Sequence, residues 1–106
     1  MIRSRRFSLS TAAINDLIDI YDYIADKNPV AARRLVTALE TKIKSLAKSG
    51  NSGVSRDWVA PGLRAFRYRD RCIYFRVDET TLHVLRIVHG HQTINPDDFE
   101  VDNDRR

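Results

Sequence analysis

The chain has 106 residues, of which 42% are hydrophobic and 30% charged, and this composition predicts a single soluble globular domain. No run approaches the roughly 20 apolar residues that a membrane helix needs, and no apolar region of a signal peptide follows the basic N-terminus. We therefore expect a cytoplasmic protein without a membrane partner. The single cysteine, Cys72, excludes an internal disulfide and a CxxC motif, and we predict that it is buried.

The net charge of +4 is unevenly distributed along the chain. Residues 95–106 hold five acids and two arginines, so the other 94 residues carry 16 basic and 9 acidic side chains, a net of +7. We predict a domain over residues 1–94 and an acidic, disordered or loosely docked tail over residues 95–106. The basic domain indicates an anionic partner, either nucleic acid or an acidic protein segment.

The N-terminal quarter predicts a strand followed by a helix. Residues 3–9 place Phe7 and Leu9 in alternation with polar positions, which is typical of a short strand. Helix one is predicted from Thr11 to Asp26, because Ser10 and Thr11 are good N-cap types and apolar residues recur at helical spacing. Those residues are Ile14, Leu17, Ile18, Tyr21, Ile24 and Ala25. Four aspartates share another side of this helix, Asp16, Asp19, Asp22 and Asp26, and we predict a solvated face rather than an acid/base pair.

A second helix is predicted from Pro29 to Lys48, with Asn28 as its N-cap and Gly50 as its C-cap. Two amphipathic helices joined by a short turn fold back into an antiparallel hairpin that buries both apolar sides. The segment from Ser49 to Pro61 lacks periodicity and is rich in turn formers, so it predicts a loop. We expect Trp58 to anchor that loop on the core, with binding of a base or a partner as the alternative.

Three antiparallel strands follow, predicted at Leu63 to Tyr68, Arg71 to Val77 and Thr81 to His89. Alternation places Ile73, Phe75 and Val77 on one face of the middle strand, and Cys72, Tyr74 and Arg76 on the other. In the last strand it separates Leu82, Val84, Arg86 and Val88 from His83, Leu85 and Ile87. The helical hairpin covers one face only, so we expect the other face to remain a partly apolar surface with arginines. Such a surface commonly binds protein.

Residues with metal-binding or catalytic chemistry are sparse. The sequence contains no zinc spacing, no phosphate-binding glycine loop and no Ser/His/Asp arrangement. His83, His89 and His91 fall on one face but are spread along the chain, so we predict scattered histidines rather than a metal site. We expect no cofactor.

Four segments carry a resemblance to a known family: FSLSTAAINDLIDIYDYIA at residues 7–25, NPVAARRLVTALETKIKSLA at 28–47, PGLRAF at 61–66 and RCIYFRVDETTLHVLRIVHG at 71–90. In this order they resemble the RelE/ParE family of type II toxin–antitoxin toxins, and most closely its ParE branch. The resemblance covers about Phe7 to Gln92. It implies an α+β fold of the order β-α-α-β-β-β, in which the helical hairpin packs on a three-stranded antiparallel meander.

The resemblance also implies a toxin that a cognate antitoxin neutralises, with two candidate activities. Relatives that cleave mRNA on the ribosome carry arginine donors where this chain has Cys72 and Gln92, and an aromatic hydroxyl where it has Phe99. The ParE branch lacks that set and inhibits DNA gyrase by protein contact, which is our leading hypothesis. The alternative is a ribonuclease that uses Arg67, Arg69, Arg71 or Arg86 for the phosphate and His89 or His91 as the acid.

For the antitoxin, the resemblance implies a ParD-like protein that forms a hetero-oligomer with this chain. We expect its acidic segment to lie across the basic sheet face and the groove beside the helical hairpin, and to fold on contact. The candidate antitoxin contacts are Arg64, Arg67, Tyr74, Arg76 and Arg86. Because antitoxins of this family supply the operator contacts, we expect no direct specific DNA binding by this chain.

Overall fold

The structure is a computed structural model that describes residues 5–50 and 53–90. Within these residues, five strands and two helices follow in the order β1-α1-α2-β2-β3-β4-β5. Their bounds are β1 Arg6–Leu9, α1 Thr11–Ala25, α2 Pro29–Ser49, β2 Val54–Ser55, β3 Arg64–Tyr68, β4 Arg71–Val77 and β5 Thr81–His89. The predicted tail lies outside the described residues, so the division at residue 94 stays a prediction.

Both helices begin at the predicted capping residues. The Ser10 Oγ accepts a hydrogen bond from the Ala13 backbone N–H at 2.9 Å and donates one to the Leu85 carbonyl at 2.8 Å. This second bond ties the start of α1 to the sheet. Asn28 Oδ1 accepts from the Ala31 N–H at 3.0 Å, and α2 ends at Gly50, whose positive φ of 74° suits glycine.

The sheet has the strand order β1-β5-β4-β3-β2. Strands β3, β4 and β5 form the predicted antiparallel meander, and the predicted α+β fold is confirmed. Strand β1 pairs in parallel with β5, whereas the two-residue β2 pairs with β3 inside the segment that was predicted to be a loop. These two short strands extend the meander at both edges.

A hydrophobic core lies between the helices and one face of the sheet. Its fully buried large side chains are Leu39 and Ile43 on α2 and Ile73, Phe75, Leu82 and Val84 on the sheet. Helix α1 buries Ala13 and Leu17, whereas Ile14 and Ile18 are 44% and 51% exposed. The predicted apolar side of helix one was therefore partly wrong, because the helix is rotated toward Ala13.

The other sheet face carries a second buried cluster, formed by Val59, Ala60, Leu63, Ala65, Tyr74, Leu85 and Val88. Val59 and Ala60 belong to the segment between β2 and β3, which covers part of this face. The prediction of an uncovered apolar face was therefore wrong at these positions. Cys72 packs against the same cluster and is only half-buried, so it is less buried than predicted.

A β-bulge changes which residues of β5 share a face. Tyr74 pairs with Arg86 while Phe75 pairs with Val84, so Leu85 is an extra residue in the ladder. As a result, Ile87 joins Leu82 and Val84 in the helix-side core, and Leu85 and Val88 pack in the second cluster. The strict alternation predicted for this strand placed Leu85 correctly but was wrong at Ile87 and Val88.

Candidate functional site

The predicted contact residues do not lie on one surface. Ala65 is buried in the second cluster, whereas Phe66 packs on the helix-side core. Because successive strand side chains alternate in direction, Arg67 shares the face of Ala65 and Arg64 shares the face of Phe66. The predicted antitoxin-binding arginines are therefore split between the two faces of the sheet.

The first candidate site is a cleft of about 510 Å³ between α1 and the adjoining ends of β4 and β5, which we call the ion-pair cleft. It brings together three of the six residues of the ribonuclease alternative, Arg71, Arg86 and His89. Arg67 and Arg69 are not among its lining residues, and His91 lies outside the described residues. The lining is completed by Asp16, Asp19, Ile20, Tyr23, Asp70, Ile87 and Val88.

The central contact of the ion-pair cleft joins Asp16 of α1 to Arg86 of β5. The Asp16 carboxylate accepts from Arg86 Nε at 2.7 Å, from Arg86 Nη2 at 2.9 Å and from the Ile87 backbone N–H at 2.8 Å. Only 13% of the Asp16 side chain and 19% of the Arg86 side chain is exposed. The prediction that Asp16 belongs to a solvated face was wrong, because this pairing over 70 residues draws it inward.

Arg71 and His89 also line the ion-pair cleft, where both lie close to Asp70. The Asp70 carboxylate is 3.9 Å from Arg71 Nη1 and 3.6 Å from His89 Nε2. Arg71 Nε is buried, and no described residue is its hydrogen-bond partner. The cationic groups of this cleft therefore all face carboxylates, with Arg86 held most closely.

The second candidate site is a pocket of about 440 Å³ beside β3 and β4, which we call the basic pocket. Its cationic residues are Arg56 and Arg67. The other lining residues are Val54, Ala65, Phe66, Cys72, Tyr74 and Gly90, so none of the described residues that line it is acidic. The nearest acidic residues in sequence, Asp57 and Asp70, contact other groups. Asp57 accepts hydrogen bonds from Gly62 N and Ser55 Oγ. Asp70 lies within ion-pair distance of Arg71 and of His89.

The two arginines of the basic pocket are held by carbonyl groups. Arg56 Nη1 donates to the Ser55 carbonyl at 3.1 Å, and Arg67 Nε donates to the Arg69 carbonyl at 3.2 Å. The guanidinium of Arg67 also lies over Gly90, where a Cβ would be 2.9 Å from Arg67 Nη2. Within the described part of the chain, neither arginine has a carboxylate within ion-pair distance.

Tyr74, a predicted antitoxin contact, lies in the floor of the basic pocket and is 8% exposed. Burial raises the pKa of its hydroxyl to about 12, and a hydrogen bond with Cys72 contributes in the same direction. The neutral phenol is therefore the stable form in this pocket. Such a side chain supports the pocket but offers little surface to a partner.

The remaining predicted antitoxin contacts, Arg76 and Arg64, lie beside the segment between β2 and β3. Arg76 Nε donates to the Pro61 carbonyl at 3.1 Å, which fastens the segment between β2 and β3 to β4. Arg64 is half-buried at the start of β3, and its positive charge helps to lower the pKa of Asp57. Both guanidinium groups thus lie near the segment that carries Trp58.

Trp58 is 78% exposed, so the prediction that it anchors its loop on the core was wrong. Its neighbours Val59 and Ala60 provide the buried contacts instead. The turn is restrained by Asp57, which accepts from the Gly62 N–H at 2.8 Å and from Ser55 Oγ at 3.0 Å. The Gly62 bond is the main cause that lowers the pKa of Asp57. The indole is thus exposed on a well-restrained turn.

His83 and His89 lie near the two ends of β5, and the third histidine of the prediction, His91, lies outside the described residues. His83 lies between Ser8 and Asp78, with both of its ring nitrogens 3.0 Å from their partner oxygens, so it joins β1 to the β4–β5 turn. The hydrogen bond with His83, followed by the Thr80 and Thr81 amides, lowers the pKa of Asp78 well below its usual range. Across residues 5–50 and 53–90, no three His, Cys, Asp or Glu side chains are placed to hold a metal ion. The same residues contain no helix long and apolar enough to cross a membrane.

Comparison with known proteins places this architecture among toxin–antitoxin folds. The family model for the ParE toxin of type II toxin–antitoxin systems, parDE, matches residues 7–94. A chain of the chromosomal ParDE toxin–antitoxin system from P. aeruginosa superposes with a TM-score of 0.68 at 27% identity, covering 80% of this chain and 95% of that chain.

A chain of the toxin–antitoxin complex RelBE2 from Mycobacterium tuberculosis superposes with a TM-score of 0.61, covering 84% of this chain and 94% of that chain. At 20% identity this second likeness concerns the fold alone. A search of the curated proteins found no match.

Proposed function

This chain belongs to the ParE family of toxins of type II toxin–antitoxin systems, and we propose that it inhibits DNA gyrase by protein contact and is neutralised by a cognate ParD-like antitoxin. In this proposal the chain is a binding module rather than an enzyme. The family match over residues 7–94 supports the toxin role. The same family assignment suggests gyrase as the target, and the charges of the ion-pair cleft disfavour the ribonuclease alternative.

One observation carries that choice, the engagement of Arg86 by Asp16. A ribonuclease must offer cationic donors to the phosphate at the moment when negative charge develops. Here the Arg86 guanidinium already donates to both carboxylate oxygens of Asp16, at 2.7 and 2.9 Å. A phosphate would have to compete with a charge-assisted, two-point contact, which is among the strongest polar contacts in proteins. The cleft therefore favours a structural role for this arginine.

A supercoiling assay tests the proposed target. Purified toxin should block supercoiling by gyrase or trap cleaved DNA, and toxin already bound to its antitoxin should do neither. The matched counter-assay adds the same toxin to translating ribosomes and measures mRNA cleavage. No effect on gyrase, together with cleavage of mRNA, would overturn the proposal.

The second candidate is ribosome-dependent mRNA cleavage, and the convergence of Arg71, Arg86 and His89 in one cleft favours it. In that case His89 or His91 would supply the proton. Substitution of both histidines by alanine separates the two candidates. It should abolish growth inhibition by a ribonuclease and leave growth inhibition by a gyrase inhibitor largely intact.

For the antitoxin, we propose contacts with the exposed parts of Arg64, Arg67 and Arg76, with smaller contributions from Tyr74 and Arg86, which are already buried or paired. A segment that reaches both Arg64 and Arg67 must pass around the β2 edge of the sheet, because these residues lie on opposite faces. Arg64→Glu combined with Arg67→Glu should weaken the complex at physiological salt. The double substitution Arg33→Glu/Arg34→Glu on α2 makes the same charge change at exposed positions and serves as the control. Equal affinities for both variants would place the antitoxin elsewhere.

A further inference from the structure

We propose that the basic pocket is a carboxylate-binding site and that the acidic tail of this chain, residues 95–106, occupies it. The family match ends at residue 94, so the tail lies beyond the part of the chain to which the family assignment applies. The proposal concerns the free protein and does not depend on gyrase or on an antitoxin.

The basic pocket carries two positive charges that no carboxylate of the described residues balances. Arg56 and Arg67 both line it, and their hydrogen-bond acceptors are neutral carbonyl groups. Each guanidinium has five N–H donors, so each retains donors in a planar arrangement that suits a carboxylate. The arginines of the ion-pair cleft already face aspartates, which makes the basic pocket the better acceptor of an added acid.

Gly90 places the start of the chain that leads to the tail at the basic pocket. This residue lines the basic pocket, lies under the Arg67 guanidinium and is the last described residue before the tail. Asp97 follows it by seven residues, a distance that an extended chain spans with up to about 25 Å. The acids of the tail can therefore reach both arginines without any rearrangement of the sheet.

The tail combines acidic side chains with an aromatic ring. Asp97, Asp98 and Glu100 surround Phe99, so three carboxylates accompany one aromatic ring. The basic pocket offers complementary groups, because two arginines lie beside the apolar side chain of Val54, which is 59% exposed. Tethering raises the effective concentration of the tail to the millimolar range, so even a weak contact is substantially populated. An acidic partner must then displace the tail to enter the pocket.

Amide chemical shifts measured by NMR on the full-length chain test this contact from both sides. Neutralising the tail with Asp97→Asn, Asp98→Asn and Glu100→Gln should change the amide shifts of Arg56, Arg67 and Gly90. Neutralising the pocket with Arg56→Gln and Arg67→Gln should in turn change the amide shifts of the tail. The control Arg33→Gln/Arg34→Gln removes the same charge from α2 and should leave the tail unchanged.

Salt and a separate peptide sharpen the test. Raising NaCl from about 50 mM to about 500 mM shortens the screening length and should at least halve the pocket shift differences between the wild type and the neutral-tail variant. A synthetic peptide of residues 95–106 should restore the pocket shifts in the neutral-tail variant. The proposal is overturned if the pocket amides are identical in both proteins, or if the α2 control changes the tail as much as the pocket variant does.

Discussion

The ion-pair cleft and the basic pocket belong to the same sheet but differ in how their arginines are neutralised. In the cleft, Arg86 is 19% exposed and is held by the carboxylate of Asp16. In the pocket, Arg67 is exposed and is held by a backbone carbonyl. Removal of the carboxylate from the ion-pair cleft should therefore destabilise the fold. In the basic pocket, by contrast, an added carboxylate should bind.

This difference separates arginines that stabilise the fold from arginines that can bind an acidic segment. A partly buried guanidinium without its carboxylate loses hydration and gains nothing in return, so its partner is needed for folding. An exposed guanidinium keeps its hydration, and a surface charge of this kind contributes little to stability. The three predictions below test that separation, from the largest expected effect to the smallest.

Asp16→Ala should produce the largest loss of stability. It leaves Arg86 and the Ile87 N–H without their shared acceptor, and breaking a partly buried pair costs about 2–4 kcal/mol. Urea unfolding followed by circular dichroism measures this change. Asp19→Ala is the matched control, since Asp19 lines the same cleft but is exposed, and it should change stability by less than about 0.5 kcal/mol.

The double variant Asp16→Leu/Arg86→Met refines the first prediction. It removes both charges together and replaces them with apolar groups, so it should recover a large part of the stability that Asp16→Ala loses. If Asp16→Ala and Asp19→Ala unfold at the same urea concentration, the pairing contributes nothing and the contrast between the two sites is lost.

Tyr74 should make the basic pocket sensitive to alkaline pH. Its folded pKa of about 12 lies above the usual value of about 10, so the folded state holds the phenolic proton more tightly than the unfolded state does. The resulting stability is fully present below pH 10 and is lost as the pH rises through 12. The expected loss is on the order of 1–2 kcal/mol.

Urea unfolding near pH 8 and near pH 11 measures this loss, with Tyr74→Phe as the reference. Every other ionisable group is present in both proteins, so a difference between their losses of stability reports on Tyr74. A Tyr74→Phe variant that loses as much stability as the wild type between these two pH values would show that Tyr74 titrates as it does in water.

The local features of the fold were predictable from the sequence. Periodicity and capping residues placed both helices, with α1 ending one residue earlier and α2 one residue later than predicted. Turn residues placed the three meander strands to within one residue. Strand β1 falls within the predicted strand at residues 3–9, but its pairing was not predicted, and the short strand β2 was missed altogether. Val54–Ser55 is a strand only through its pairing with β3, and the parallel pairing of β1 with β5 depends on the whole helical hairpin between them.

The sites were less predictable because their contacts join distant residues. Asp16 resembles the exposed aspartates of its helix in sequence, and only its pairing with Arg86, 70 residues later, distinguishes it. The bulge at Leu85 shifts the later residues of β5, which no alternation pattern could reveal. Sequence reasoning also missed Arg56 and Gly90 in the basic pocket. Their only signals were a basic residue beside a turn and a glycine directly after the last strand.

Gly90→Ala should give the smallest effect on stability and a selective effect on the basic pocket. An added Cβ would lie 2.9 Å from Arg67 Nη2, so the flexible guanidinium must move away from Gly90. The Asp70 carbonyl oxygen, 3.3 Å from the added Cβ, has to give by a few tenths of an ångström as well. Because the larger shift falls on the far end of an exposed side chain, the change in stability should stay below about 1 kcal/mol.

The same substitution should weaken binding of acidic segments, because it displaces one of the two guanidinium groups that line the pocket. The peptide of residues 95–106, titrated into the neutral-tail protein with and without Gly90→Ala, measures this effect by NMR. Gly62→Ala is unsuitable as a control, because its φ of 76° would itself introduce strain. Ser45→Ala on the exposed side of α2 provides one instead. Equal peptide affinity in both proteins would mean that the position of the Arg67 guanidinium does not matter, and recognition would then rest on Arg56 alone.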